Sequence, residues 1–248
     1  MQDEELLRYS RQILLPDVDV EGQEKLLNAK VLIVGLGGLG SPVAMYLAAA
    51  GVGELYLADF DEVDVSNLQR QIVHTNSQVG VNKAQSARQH LLDINPHCRV
   101  RCYESRLTDA ECEAVFKEVD AVVDCTDNFS TRFMLNQLSV KTKTPLVSGA
   151  AIRLEGQVTV YDPRSDESPC YRCLYEYIDD SQLSCSQNGV LAPLVGIIGS
   201  VQATETIKLI AEFGQPLVGR LLLLDAKSMQ WRELSLKRDP KCPVCGEH

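Results

Sequence analysis

Residues 30–40 read KVLIVGLGGLG. The first half is a short β-branched apolar run, the pattern of a strand buried on both faces. The second half is a glycine turn, and Ser41-Pro42 then opens an Ala/Leu-rich stretch to about Ala50. Serine at a cap and proline at the first helical position are helix-start signals. Gly51 and Gly53 stop the helix, and ELYLADFD at 54–61 supplies the next strand. Strand, glycine turn, helix and strand make one βαβ crossover.

Outward from that unit the alternation continues. Helices are predicted at about 82–93, 109–117 and 128–140, and strands at 99–105, 120–127 and 145–151. Asn95-Pro96 ends the first of these helices. After residue 151 the pattern changes: GQVTVYD (156–162) and two strands around a turn within 221–237 predict an antiparallel extension. The second of those strands alternates Trp231, Glu233 and Ser235 with Arg232, Leu234 and Leu236. A loop-rich stretch (163–190) leads to a helix from Ala192 to Phe213, with Gly214 and Pro216 as its stop. The predicted fold class is α/β and Rossmann-like, a mostly parallel sheet with helices on both faces, extended by antiparallel strands.

The chain has 248 residues, 45% hydrophobic and 23% charged, enough for a sizeable core and too apolar for disorder. Lys and Arg total 24 against 34 Asp and Glu, a net charge of −10, which argues against a nucleic-acid binder. Residues 31–53 carry no charge, but glycines and Pro42 in their middle rule out a membrane span. The start, MQDEELLRYSRQ, lacks the pattern of a signal peptide, so nine cysteines read as cytoplasmic thiols with a metal site rather than a disulfide framework.

Gly35, Gly37 and Gly40 form G-x-G-x-x-G between strand and helix, and Asp59 follows 19 residues later at a strand end. That spacing marks a nucleotide site: the glycines admit a phosphate to the backbone and the carboxylate accepts from ribose hydroxyls. NAD is the default ligand of such a turn. Asn67, Arg70 and Lys83 point elsewhere, because an amide and two cations beside the ribose end suit a triphosphate and its leaving pyrophosphate. Asp127, at the carboxyl end of a strand, is placed to hold Mg²⁺. Each residue alone has a plainer reading: Asp127-Asn128 as a helix cap, the cations as solvated surface charge. The four histidines, His74, His90, His97 and His248, form no cluster.

Cys170-x-x-Cys173 and Cys242-x-x-Cys245 are two knuckles 68 residues apart. Four thiolates in two such pairs match a closed, structural zinc site that would clamp the C-terminal region. A redox pair is the alternative, but Pro169 and Pro243 place both pairs in loops rather than at a helix start. Cys98, Cys102, Cys112 and Cys125 fall in strand or helix patterns and read as buried thiols.

RYSRQ (8–12), VGLGGLG (34–40), SNLQRQ (66–71), DCTDN (124–128) and the two cysteine pairs together resemble the MoeB/ThiF (HesA) family of ubiquitin-activating-enzyme-like adenylyltransferases, over about residues 3–246. The resemblance implies one activating-enzyme domain over 1–248. Within it lie an N-terminal arm (1–29), a nucleotide-binding core (30–151) and a carrier-binding and zinc region (152–248). It implies ATP with Mg²⁺ as well as structural Zn²⁺, and adenylation of the C-terminal glycine of a small ubiquitin-like sulfur carrier ending in Gly-Gly. By the same resemblance Gly38, Ser66, Leu68, Gln69 and Asn128 join the nucleotide site. Arg11 reaches into the partner protomer's site, so a homodimer is expected. Cys185 is the position at which thiamin-branch relatives attach the carrier. Sulfur would come from a separate sulfurtransferase or cysteine desulfurase.

Two branches of the family compete. VSGAAIRLEGQ (147–157) and GVLAPLVGIIGS (189–200) look like the molybdopterin branch, with a MoaD-like carrier. KSMQWREL, CPVCG and RYSRQILL look like the thiamin branch, with a ThiS-like one. Molybdopterin synthase activation is the favoured expectation. A non-adenylating nucleotide-binding scaffold and an NAD-dependent dehydrogenase are the remote alternatives.

Overall fold

A computed structural model describes residues 1–175 and 189–246. Three N-terminal helices, α1 (Asp3–Arg8), α2 (Ser10–Ile13) and α3 (Asp19–Asn28), precede the first strand. β1 (Lys30–Val34), α4 (Gly40–Ala50) and β2 (Glu54–Ala58) form the first crossover. Then come α5 (Lys83–Ile94), β3 (Arg99–Tyr103), α6 (Asp109–Glu118), β4 (Ala121–Asp124), α7 (Phe129–Thr142) and β5 (Leu146–Ile152). β6 (Glu155–Tyr161), α8 (Tyr171–Leu174), α9 (Ala192–Ala211), β7 (Arg220–Asp225) and β8 (Gln230–Ser235) complete the described elements.

All eight strands lie in one sheet, ordered β3-β2-β1-β4-β5-β6-β7-β8. The pairs from β3 to β5 are parallel and those from β5 to β8 antiparallel. The strand order reverses between β1 and β4, and ligands of open α/β sheets bind at that switch point, outside the carboxyl ends of the strands. One face of the sheet packs Val31, Ile33, Leu55 and Leu57 with Val43, Leu47 and Ile198. The other packs Leu32, Tyr56, Val122 and Leu146 with Phe116, Phe133 and Tyr171. β1 and β2 are buried on both faces because helices cover both. The charge-free stretch 31–53 is therefore a strand, a turn and a helix. Among the described residues α9 is the one helix long and apolar enough to cross a membrane, and it is buried against β5 and β6.

Several boundaries differ from expectation for local reasons. α4 starts at Gly40 with Leu39 at its cap, and Ser41 is not the cap: its Oγ donates back to the Gly37 carbonyl at 2.7 Å. β2 ends at Ala58, since Asp59 turns out of the strand to accept from the Leu36 N–H at 2.7 Å. α9 stops at Ala211 rather than Phe213, because Glu212 itself takes the left-handed conformation at the helix end (φ 57°) while its carboxylate pairs with Lys25 at 2.7 Å. The Cys170 knuckle wraps into the single turn of α8, inside the stretch expected as loop. β8 pairs with β7, but its alternation hides neither side: Trp231 is 40% and Leu234 49% exposed on this sheet edge.

Candidate active site

The glycine turn joins β1 to α4 at the switch point. Gly40 carries the close packing: a Cβ there would sit 1.9 Å from the Gly35 carbonyl oxygen. Gly37 is less crowded: an added Cβ there would meet only Gln71 Nε2 within 4 Å, at an ordinary contact distance of 3.5 Å. Gly38 lies against Val195 of α9. Gly35, Gly37 and Gly38 line a cleft of about 1010 Å³. That volume is at the top of the ~300–1,000 Å³ usual for small-molecule sites.

Asp59 stands on one side of the turn. Its Oδ2 accepts from Leu36 N and its Oδ1 from Asp61 N at 2.9 Å. Burial pushes its carboxyl above the usual range, against these two bonds and the nearby Lys83. Lys83 is buried at the start of α5, and its amine meets the exposed Asp61 at 3.0 Å. The 310 turn at 65–67 brings Asn67 and Arg70 to the same wall. Gln71 Nε2 donates to Asn67 Oδ1 at 2.7 Å, and Arg70 Nη1 donates to the Ser66 carbonyl at 3.2 Å.

Gln71 is 4% exposed, and its Oε1 has no hydrogen-bond partner. A buried acceptor left unpaired costs ~1–3 kcal/mol, so a donor from a ligand beside Gly37 would relieve it. Spacing arguments passed over Gln71; its place directly after the SNLQR run was the available signal.

β4 delivers the third wall. Asp127 lies just past its carboxyl end, exposed and lining the cleft. Asn128 also lines it, while capping α7: its Oδ1 accepts from Thr131 N at 3.0 Å. Gln69 belongs to the lining, whereas Ser66 and Leu68 fall outside it. Ser66 instead bonds Asp64 through its N–H at 2.8 Å. On the far side Phe60, Leu107, Phe116 and Met134 give an apolar surface, with the Arg106 guanidinium 4.5 Å above the Phe60 ring.

Arg11 is not in this lining. It lies exposed on α2, whose neighbours Tyr9 and Gln12 abut Gly51 and Ala50 at the C-terminal end of α4. Eleven residues of helix, roughly 16 Å at 1.5 Å per residue, separate that end from the glycine turn. Cys185 and His248 lie outside the described residues. Of the other histidines, His74 is buried, His97 meets Glu4 at 3.2 Å, and none joins a metal-like cluster among the described residues.

The Sγ atoms of Cys170, Cys173, Cys242 and Cys245 lie within 4.8 Å of one another. Three of the separations are 3.6 Å (Cys170–Cys242), 3.9 Å (Cys170–Cys173) and 3.4 Å (Cys173–Cys245). A tetrahedral zinc with ~2.3 Å bonds places its sulfurs about 3.8 Å apart, so the donor set fits zinc. Cys173 Sγ also accepts from the backbone N–H groups of Cys170 and Asp239, both at 3.4 Å. Burial pushes the Cys170 thiol up to about 11. Metal uptake by these thiols would therefore release protons. Cys98, Cys112 and Cys125 are buried and Cys102 half-buried, and no described cysteine forms a disulfide.

The model of the ThiF family matches residues 9–244. The molybdopterin-synthase adenylyltransferase of Salmonella typhimurium is 51% identical over 247 residues, covering 100% of this chain and 99% of the relative. The adenylyltransferase and sulfurtransferase MOCS3 of Drosophila virilis is 45% identical over 99% of this chain, which spans 55% of that protein. Among solved structures, E. coli MccB with ATP aligns at a TM-score of 0.85 and 27% identity, covering 96% of this chain and 73% of the other. By the family model and by full-length identity, this chain belongs to the ThiF family.

Proposed function

We propose that this chain is an adenylyltransferase that uses ATP to activate the C-terminal glycine carboxylate of a small ubiquitin-like sulfur carrier of the molybdopterin pathway. The observation that carries the reading is the convergence of Gly37, Asn67, Arg70, Lys83 and Asp127, from four separate segments, on one cleft at the sheet's switch point. Full-length identity to a molybdopterin-synthase adenylyltransferase favours that branch over the thiamin one.

In this reaction a carboxylate oxygen bonds to the α-phosphorus of ATP, the α–β bridging bond breaks, and pyrophosphate leaves with that electron pair. A C-terminal carboxylate is ionised near neutral pH, so no general base is required. The chain's task is to hold two anions in line and to stabilise the charge that grows on the leaving group. The less crowded side of Gly37 admits the phosphates to the backbone, and Asp59 accepts from the ribose. Asn67, Arg70 and Lys83 face the triphosphate, and the Lys83 amine exchanges part of its contact with Asp61 for phosphate. Magnesium, held at Asp127 by a hard carboxylate oxygen, would neutralise phosphate charge.

The other roles follow from placement. Residues 30–151 form the nucleotide half, and 152–248 the carrier and metal half, where Trp231 and Leu234 leave apolar surface open for a protein partner. The cysteine cluster holds zinc. Arg11 serves the cleft of a second copy, and the exposed Leu7, Leu14 and Leu15 around it (78%, 72% and 52%) suit a homodimer surface. A separate sulfurtransferase or cysteine desulfurase supplies sulfur to the activated carrier. Free thiols among the described residues suit a cytoplasmic setting.

ATP–pyrophosphate exchange with purified carriers tests the reading. Exchange that appears with a molybdopterin-branch carrier, and is lost when its Gly-Gly end is removed, is expected. Exchange with a thiamin-branch carrier alone would move the chain to the other pathway, and none with any carrier would overturn adenylation.

A further inference from the structure

α7 runs from the cleft to the cysteine cluster. Asn128, at its N-terminal cap, lines the cleft, and Asn136, further along the helix, is buried beside Cys170. The two ends of the Asn136 carboxamide have different partners. Its Oδ1 accepts from the Tyr171 backbone N–H at 2.8 Å, and its Nδ2 donates to Cys170 Sγ at 3.6 Å. A backbone N–H can only donate, so it settles which end of the amide is the oxygen. The NH2 group is thereby turned toward the sulfur.

The residue type matches that place. An aspartate would satisfy the Tyr171 N–H but set a carboxylate against the sulfur, and a leucine would satisfy neither group. The rest of the cluster is surrounded in the same sense. Cys173 Sγ accepts from the backbone N–H groups of Cys170 and Asp239. Arg238 Nε donates to the Cys245 carbonyl at 3.1 Å, and its Nη atoms donate to the carbonyls of Cys245 and Asp166. Four thiolates around a divalent metal carry an excess of negative charge, and Cys170 and Cys242 would hold theirs out of contact with water. Directed N–H donors and a nearby cation offset such a buried charge.

We propose that Asn136 is a positioning residue of the metal centre: its side-chain N–H bonds the metal-bound sulfur of Cys170, fixes that sulfur toward the metal and so strengthens zinc binding. This deepens the zinc reading given above and needs no part of the adenylation reading. It makes α7, a helix of the nucleotide half, a working part of a metal site whose ligands all come from the C-terminal half.

Asn136→Leu keeps most of the side-chain bulk and removes both hydrogen bonds. Chelator competition should show zinc held about 10–100-fold more weakly, the usual cost of losing a partner of a metal ligand. Cobalt supplies a readout that loosened packing would not move. The sulfur-to-cobalt charge-transfer band should shift to longer wavelength in the variant, because a thiolate without its N–H donor gives up an electron more easily. Zinc affinity equal to the parent's, or weaker zinc binding with the cobalt band unmoved, overturns the proposal.

Should the variant fail to fold, the wild-type protein decides the matter. Loaded with a magnetic isotope of cadmium, it should show a scalar coupling between the metal and an Asn136 side-chain amide proton, carried through the N–H···S bond. Absence of that coupling overturns the proposal. A wild-type protein that takes up no zinc, cobalt or cadmium would remove the zinc reading itself, whereas uptake without the coupling removes the role of Asn136 alone.

Discussion

The cleft at the carboxyl ends of β1, β2 and β4 is wide, and its polar groups lean on one another: Lys83 on Asp61, Gln71 on Asn67, Arg70 on the Ser66 carbonyl. The cysteine cluster is closed, with four sulfurs inside 4.8 Å and backbone N–H groups aimed at Cys173. The two regions differ in what a bound group has to do. In the cleft a ligand exchanges existing contacts for its own, which suits a substrate that must leave. In the cluster nothing needs to move before a metal is held by four donors, which suits a permanent resident. Both lie on the same scaffold, and α7 touches both.

The sharpest way to break the comparison is Asp127→Ala. Because Asp127 is exposed, the melting temperature should stay within about 2 °C of the parent. Carrier-dependent exchange should fall by about 100-fold or more if the carboxylate is part of the charge-stabilising apparatus. Near-parental exchange would remove the magnesium assignment.

Cys242→Ser should do the converse. Metal analysis should show zinc lost from the chain, and calorimetry a melting temperature lower by about 10 °C or more, as for loss of a structural metal worth several kcal/mol. A variant that melts like the parent with no metal bound would mean that the cluster contributes nothing to the fold.

Lys83→Met tests whether the pairing with Asp61 is a resting contact. The expected result is a rise in KM for ATP with exchange lowered about 10–100-fold, the worth of one hydrogen bond to a charged group. Asp61 is 55% exposed, so leaving it alone in solvent should cost under about 1 kcal/mol of stability. Equal activity and a large drop in melting temperature would recast Lys83 as structural.

The smallest effect concerns His74, which ties the glycine turn to α5: Nε2 donates to the Leu36 carbonyl at 2.9 Å and Nδ1 lies 2.8 Å from Ser86 Oγ. Burial holds its imidazole below the ordinary range. The folded protein therefore binds fewer protons than the unfolded chain below about pH 6.5, so stability rises with pH through that window and is lost as pH falls. Thermal melts between about pH 7.5 and 5.5 read that slope. His74→Gln should flatten that part of the slope. An unchanged slope would show that His74 is not the group responsible.

Much of this was legible in local spacing. The glycine turn, Asp59, the SNLQR run and the two cysteine knuckles announce themselves within a few residues, because phosphate cradles and metal knuckles are built from short stretches of backbone. The crossover order followed as well, since a buried parallel strand and an amphipathic helix have distinct periods. Helix ends were less legible: Glu212 takes a conformation that favours glycine at the end of α9, and its carboxylate meets Lys25, 187 residues away in sequence.

The sequence by itself determined the fold class, the βαβ start and the residue types that touch a nucleotide or a metal. Only the tertiary structure decided which of those residues share a wall. It set Ser66 and Leu68 outside the lining and Gln71 inside it, and it joined Arg132 to the Thr126 carbonyl just before Asp127. The physical reason is that a buried polar group takes its role from partners distant in the chain, and only packing brings those partners together.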